Sequence, residues 1–247
     1  MELSEADLPY VTPGWVENYQ AYLKDFSDGI GEDYLVKLWE RGGFFLGDLA
    51  HATYERIFCM AHFGEAETRH LLQEPLLPRV TWHRDGYDLD PTALHHLYHL
   101  GLWEQQMRMD LRELTSVVEW GGGFGSFARL CMKRNRGLLY TIVDLPLFSA
   151  IQERYLAASG MHARHRSPSQ MTEFAGELDL FVATWSLDES SALAQNLVQR
   201  SAFFGARHVL LAYHPEKADF PQSSGIPIPP GAELIEALPA GSYYAFR

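Results

Sequence analysis

The chain has only two cysteines, Cys59 and Cys131, too few for a disulfide framework. Cys131 falls within an apolar helical pattern, where a small buried thiol is ordinary. Cationic side chains are scarce as well: 20 Lys and Arg against 32 Asp and Glu leave a formal net charge of −12. Such a balance gives no general attraction to nucleic-acid phosphates or anionic lipid, so no nucleic-acid or membrane partner is expected. No apolar run is long enough to cross a bilayer, and the acidic start Met1-Glu2-Leu3-Ser4-Glu5-Ala6-Asp7 lacks the basic and apolar parts of a signal peptide. A reducing, cytoplasmic setting is the expectation. Of the dense basic clusters, Lys133-Arg134-Asn135-Arg136 and Arg164-His165-Arg166, the first follows a predicted helix, where cations complement the C-terminal dipole.

What is present is ordinary globular material. Over 247 residues, 47% hydrophobic and 21% charged side chains allow a full core and exclude a mainly disordered chain. Two textures divide it. Residues 1–110 read mostly as helix, with apolar positions three and four apart in Val16, Tyr19, Tyr22, Leu23 and Phe26 and again in Tyr34, Leu35 and Leu38. Further helices are predicted over 46–63 and 92–109, the latter capped by Asp90 with Pro91 in its first turn. This region is expected to serve as a substrate lid or an oligomerisation element, which leaves a homo-oligomer open.

Residues 111–247 change to short apolar runs alternating with amphipathic helices, the pattern of a parallel sheet covered on both faces. Strands are predicted over 116–120, 138–143, 178–184 and 207–213, with a weaker one over 161–165; helices over 127–133, 147–158 and 190–203 separate them. Two last strands, 233–238 and 242–246, form a hairpin through Pro239-Ala240-Gly241. The expected fold class is therefore α/β: a doubly wound, mostly parallel seven-stranded sheet ending in an antiparallel hairpin, with an N-terminal helical region. Pro215, Pro221, Pro227, Pro229 and Pro230 predict a loop over 215–231, placed as a lid on the site, because proline interrupts helices.

The central motif is Val117-Val118-Glu119-Trp120-Gly121-Gly122-Gly123-Phe124-Gly125, a strand entering a glycine-rich turn that opens a helix. A dinucleotide-binding turn would place its third glycine at position 126, which is Ser126. Glycines at 121, 123 and 125 with Glu119 before them suit a ligand carrying an ammonium and a carboxylate but no phosphate. The next strand ends Val143-Asp144-Leu145-Pro146, placing Asp144 where a doubly wound fold presents a carboxylate to ribose hydroxyls. Two plainer readings stay open: a tight strand-to-helix connection for the glycines, and a helix cap for Asp144.

These segments, with Ser126-Phe127-Ala128-Arg129-Leu130 and Gln152-Glu153-Arg154-Tyr155-Leu156, resemble class I S-adenosylmethionine-dependent methyltransferases, and among them bacterial sugar O-methyltransferases. A weaker likeness covers Asp90 to Tyr98, where His95 replaces the family's usual basic residue, and Thr184-Trp185-Ser186-Leu187-Asp188-Glu189-Ser190, where Ser190 stands in place of Met. The resemblance implies S-adenosyl-L-methionine as cofactor, held by Glu119, Gly121, Gly123, Gly125 and Asp144, with Leu145 and Thr184 beside them. It also implies a substrate-side role for Glu189. Adenine contacts are expected from the loop Ser169-Gln170-Met171. The implied activity is methyl transfer to a sugar hydroxyl of a polysaccharide or glycosylated metabolite. Alternatives are another small-molecule acceptor and a non-catalytic S-adenosylmethionine-binding or assembly protein; a nicotinamide-dependent oxidoreductase is disfavoured by Ser126.

For proton removal the candidates must stand at the carboxyl edge of the sheet. His214 ends the predicted fifth strand, and Asp188 and Glu189 follow the fourth. The reading names His214 as base, with Asp188 or Glu189 orienting it or holding neighbouring sugar hydroxyls. His95 and His99 lie one helical turn apart with His96 nearby, but no carboxylate or cysteine stands at a recognised ligand spacing, and no metal is expected. Trp82-His83-Arg84-Asp85-Gly86-Tyr87 would suit a sugar pocket, though the buried aromatics of a helical lid would look the same.

Overall fold

The computed structural model describes residues 1–41, 49–73, 82–84, 87–214, 226–237 and 242–247. The Pro239-Ala240-Gly241 turn, the start of the predicted helix at 46, Asp85-Gly86 and most of the proline-rich loop lie outside these residues. Residues 226–231, its described end, contain no helix.

The N-terminal part holds α1 (Pro13–Asp25), α2 (Tyr34–Arg41), α3 (Leu49–Phe63), α4 (Glu65–Leu72), a short antiparallel pair β1 (Trp82–Arg84) and β2 (Tyr87–Leu89), and α5 (Pro91–Met107). The strand pair and α4 were not expected: the strands are three residues each, and α4 buries only Thr68, Leu71 and Leu72, too few apolar positions to show a periodicity. Helix α5 starts where its sequence predicts, the Asp90 carboxylate accepting the Thr92 N–H at 2.9 Å with Pro91 in the first turn. Leu94, Leu97, Leu100 and Trp103 are fully buried, and with His95, His99 and Glu104 also enclosed α5 is buried around most of its circumference, packed among α3, α6 and the last strand.

The remainder runs β3 (Ser116–Trp120), α6 (Ser126–Arg134), β4 (Leu139–Val143), α7 (Pro146–Ala158), β5 (Arg164–Arg166), β6 (Leu180–Thr184), α8 (Ala192–Arg200), β7 (His208–Tyr213), β8 (Glu233–Ala237) and β9 (Ser242–Phe246). The seven strands lie in the order β5-β4-β3-β6-β7-β9-β8, with β9 antiparallel to both neighbours and the other pairings parallel. The expected doubly wound sheet is thus observed. Its chain path leaves β3 for β4 and β5 on one side, then returns to place β6 on the other. That reversal opens a crevice at the carboxyl ends of β3 and β6.

Period-two alternation sorts the strands between two cores. Val117, Leu180, Val182, Leu210 and Ala212 join the larger cluster; Val118, Phe181, Ala183, Val209 and Leu211 join the other, with Ala194 and Val198 of α8 and the pair Phe203 and Phe204. The larger cluster is continuous from Tyr19, Leu35 and Leu94 to Tyr244 and Phe246, so the helical region and the sheet share a hydrophobic core. An ion network centred on a buried Arg134–Glu104 pair joins them too. Arg134 at the end of α6 donates to Glu104 of α5 at 3.0 and 3.2 Å and to Glu67 of α4, lies 3.3 Å from Asp110, and stands over the Phe63 ring.

Candidate active site

The turn after β3 is built by its glycines. Gly121 has φ +74° and Gly123 φ +56°, backbone that L side chains rarely adopt. An added Cβ at Gly121 would also collide with the Ser186 side chain, so this glycine lets the segment after β6 close against the turn. Gly125 heads α6, its carbonyl accepting the Arg129 N–H at 2.9 Å.

A cavity of about 400 Å³ opens at the carboxyl ends of the strands. One wall is the turn and its surroundings: Glu119 to Phe124, Val143, Asp144 and Leu145. Asp144 is tied to this wall. Its Oδ2 accepts the Gly122 N–H at 3.0 Å and the Gln152 Nε2–H at 2.7 Å, and its Oδ1 accepts the Leu145 N–H at 2.8 Å. A carboxylate offers about four acceptor positions, so these three bonds leave roughly one, on Oδ1, for a ligand hydroxyl. The sequence reading of Asp144 as acceptor for both ribose hydroxyls is narrowed accordingly. Burial pushes its carboxyl up to about 6, against the opposing effect of those hydrogen bonds.

Glu119 is almost fully enclosed and accepts the Tyr140 O–H at 3.0 Å. Burial, with the nearby Asp144 charge adding to it, raises its carboxyl to about 8. Two carboxyls held above their ordinary range at one end of a cavity are stabilised in the charged form by an incoming cation.

The opposite wall comes from segments distant in sequence. Tyr10, Val11 and Trp15 roof the cavity, with Phe148, Thr184, Trp185, Ser186, Glu189, Ser190 and His214 around them. The roof is fastened to the sheet edge: Trp15 Nε1–H donates to Glu189 Oε2 at 3.0 Å, the Thr12 hydroxyl to the Glu189 carbonyl, and the Ser191 hydroxyl to the Pro9 carbonyl. His214 lies against Trp185, ring centroids 4.6 Å apart, and its backbone N–H donates to Asp188 Oδ2 at 3.0 Å. Asp188 is buried behind it, and the imidazole Nδ1 stands 3.5 Å from the same oxygen.

Of the residues named from sequence, Glu119, Gly121, Gly123, Asp144, Leu145, Thr184, Glu189 and His214 line this one cavity. Gln170, Met171, Asp188 and Gly125 are not among its lining residues. Gln170 turns back to accept the Ser167 N–H at 2.9 Å, capping its own short helix, and Met171 is buried in the second hydrophobic cluster. Pro168 of the same loop lines the cavity instead.

The sequence reading missed a further wall: His51, Glu55, His95 and His96, carried by α3 and α5. Glu55 Oε1 and His95 Nδ1 are 2.6 Å apart and both side chains are buried. The His95 and His99 rings meet at 4.2 Å between centroids, and His99 Nδ1 lies 2.6 Å from the Tyr244 hydroxyl. Burial lowers His96 to about 3 and His99 well below the ordinary imidazole value, which keeps both neutral. No group of three His, Cys, Asp or Glu among the described residues is placed to hold a metal ion. His95 drew notice in the sequence as a departure from a motif and as a helical neighbour of His99 weighed for metal binding; its pairing with Glu55 was missed because that partner lies 40 residues away on another helix.

The described lining residues thus include Glu55, Glu119, Asp144 and Glu189 but no Lys or Arg. That charge suits a cationic ligand and opposes a pyrophosphate. The glycine turn, the two raised carboxyls and the roofed cavity fit S-adenosyl-L-methionine, which carries an ammonium and a sulfonium.

No family model matches the chain, and no curated protein matches it. Solved structures do show similarity. One described as StiE O-MT residues 961–1257 is 15% identical, covering 46% of this chain and 44% of its own, with a TM-score of 0.37. A SAM-dependent methyltransferase from Aquifex aeolicus is 12% identical, covering 58% and 87%, with a TM-score of 0.42. The mitomycin 7-O-methyltransferase MmcR is 14% identical, covering 82% and 73%, with a TM-score of 0.41.

Proposed function

We propose that the protein is an S-adenosylmethionine-dependent O-methyltransferase acting on an uncharged hydroxyl compound, a sugar hydroxyl being the acceptor class that the sequence resemblance favours. The observation that carries this reading is the cavity, in which the glycine turn, Glu119 and Asp144 share one space with an imidazole- and indole-lined wall. When bound, S-adenosylmethionine supplies a sulfonium methyl group, which an acceptor oxygen takes while the carbon–sulfur pair leaves on the thioether.

The chain's own residues do the rest. Glu119 would hold the ammonium, the glycine turn would border the amino-acid end, and Asp144 would offer its open Oδ1 position to ribose. On the acceptor side, Trp15, Phe148 and Trp185 line the cavity with aromatic surface, which suits the C–H faces of a sugar ring, while Glu189 and His214 hold neighbouring hydroxyls. Asp188 fixes the backbone of His214. Alignment of acceptor oxygen and methyl carbon in a closed site accounts for most of the expected acceleration.

Calorimetric titration with S-adenosylhomocysteine and with NAD, followed by transfer of a tritiated methyl to a panel of methyl glycosides and phenols, tests the reading. Binding of the homocysteine nucleoside with label recovered on an acceptor oxygen supports it. Preference for NAD, or binding without transfer to any hydroxyl, rejects it.

A further inference from the structure

We propose that His95, held by Glu55, is the group that takes the acceptor's proton. The inference rests on the O-methyl transfer reading and assigns a step within it. A carboxylate has acceptors only, so the 2.6 Å contact between Glu55 Oε1 and His95 Nδ1 places the ring hydrogen on Nδ1. In the neutral tautomer that this contact fits, the lone pair is on Nε2, and His95 lines the cavity. This is the imidazole–carboxylate arrangement that general-base catalysis needs: the carboxylate fixes the tautomer and compensates the charge that the ring gains.

The alternative imidazole is less well placed for that work. His214 Nδ1 is 3.5 Å from Asp188 Oδ2, beyond hydrogen-bond reach, and the same oxygen is occupied by the His214 backbone N–H. Nothing there selects a tautomer. Burial disfavours the protonated form of His96 and His99 and so makes them weak proton acceptors, and His99 is engaged with Tyr244.

The acceptor O–H bond breaks and its proton forms a bond to His95 Nε2. An oxygen lone pair forms the new bond to the methyl carbon, and the carbon–sulfur pair stays on the departing thioether. The imidazolium so formed is paired with the Glu55 carboxylate, which gives Glu55 a positioning role through His95.

The test compares His95→Gln, His95→Gly, Glu55→Gln, Glu55→Asp and His214→Gln with an acceptor taken from the glycoside and phenol panel. His95→Gln is expected to lower kcat by at least about 100-fold, with acceptor KM and S-adenosylhomocysteine affinity within about threefold. Added imidazole restores part of the His95→Gly rate. Glu55→Gln lowers kcat without moving KM, Glu55→Asp recovers part of it, and His214→Gln acts mainly on KM. As a readout independent of turnover, ¹⁵N-histidine spectra of the S-adenosylhomocysteine complex are expected to show His95 as the Nδ1–H tautomer. A His95→Gln enzyme within about threefold of the parent kcat, an Nε2–H tautomer, or equal loss of cofactor affinity and rate overturns this assignment alone. A parent enzyme that binds the nucleoside but methylates no hydroxyl overturns it together with the reading on which it rests.

Discussion

The Asp144 carboxylate accepts the Gly122 N–H at 3.0 Å, so the end of β4 holds the glycine turn that follows β3. One side chain therefore both shapes the turn and offers an acceptor to the cavity. Both functions should fail together when it is removed.

Asp144→Ala is expected to weaken S-adenosylhomocysteine binding by about 1–3 kcal/mol, combining a lost ligand hydrogen bond with a loosened turn. Asp144→Asn, which keeps one acceptor oxygen, should lose less. Calorimetry on the two folded variants checks this, and an alanine variant of parental affinity would remove Asp144 from the cofactor site.

Glu119 makes stability depend on pH. Its carboxyl is raised from the ordinary 4.5 to about 8 by burial, so the native state holds a proton that the unfolded chain releases. Its contribution is fully present below about 4.5 and is lost as pH rises through about 8. Asp144, raised to about 6, adds a similar fall at the lower end of that window. Thermal melts of the ligand-free protein should therefore show falling stability from weakly acidic to weakly alkaline pH, and Glu119→Gln should flatten the slope above pH 6. Binding of a cation-bearing nucleoside at neutral pH should release a proton, seen as an enthalpy that varies with the buffer's ionisation heat. A buffer-independent enthalpy would separate Glu119 from the ligand cation.

Arg134 secures the helical region to the sheet. Its guanidinium is buried and shared among Glu104, Glu67 and Asp110. Removing one partner of a buried pair leaves uncompensated charge, so Arg134→Met should destabilise by about 3–5 kcal/mol. Chemical denaturation measures it. A loss below about 1 kcal/mol would mean that the carboxylates find water instead.

Trp15 and Glu189 connect the roof to the segment after β6 through one 3.0 Å bond. Trp15→Phe keeps an aromatic ring and removes the donor. It should raise acceptor KM several-fold and leave nucleoside affinity unchanged, and Glu189→Gln should impair turnover as well. Steady-state kinetics on a methylated acceptor decides, and normal kinetics in both variants would leave the roof without a part in acceptor binding.

Local sequence determined a great deal here, because several features depend on neighbours in the chain. The alternation in Ser116–Trp120, the Asp90-Pro91 start of α5 and the glycine turn each arise from sterics or hydrogen bonds within a few residues. The doubly wound order could be inferred from alternating strands and helices, and with it the carboxyl edge where Glu119, Asp144, Glu189 and His214 meet. Tertiary structure decided what depends on distant partners. Gln170 satisfies the Ser167 amide and Met171 fills a core, and neither preference can be seen in a loop's composition. Glu55 and His95 become a pair only because α3 packs along α5. The roof exists because Pro9, Thr12 and Trp15 find partners at residues 189–191, and the basic Arg134 is buried because three acidic residues converge on it. Burial energies and charge pairing act through space, whereas sequence spacing records only what is near along the chain.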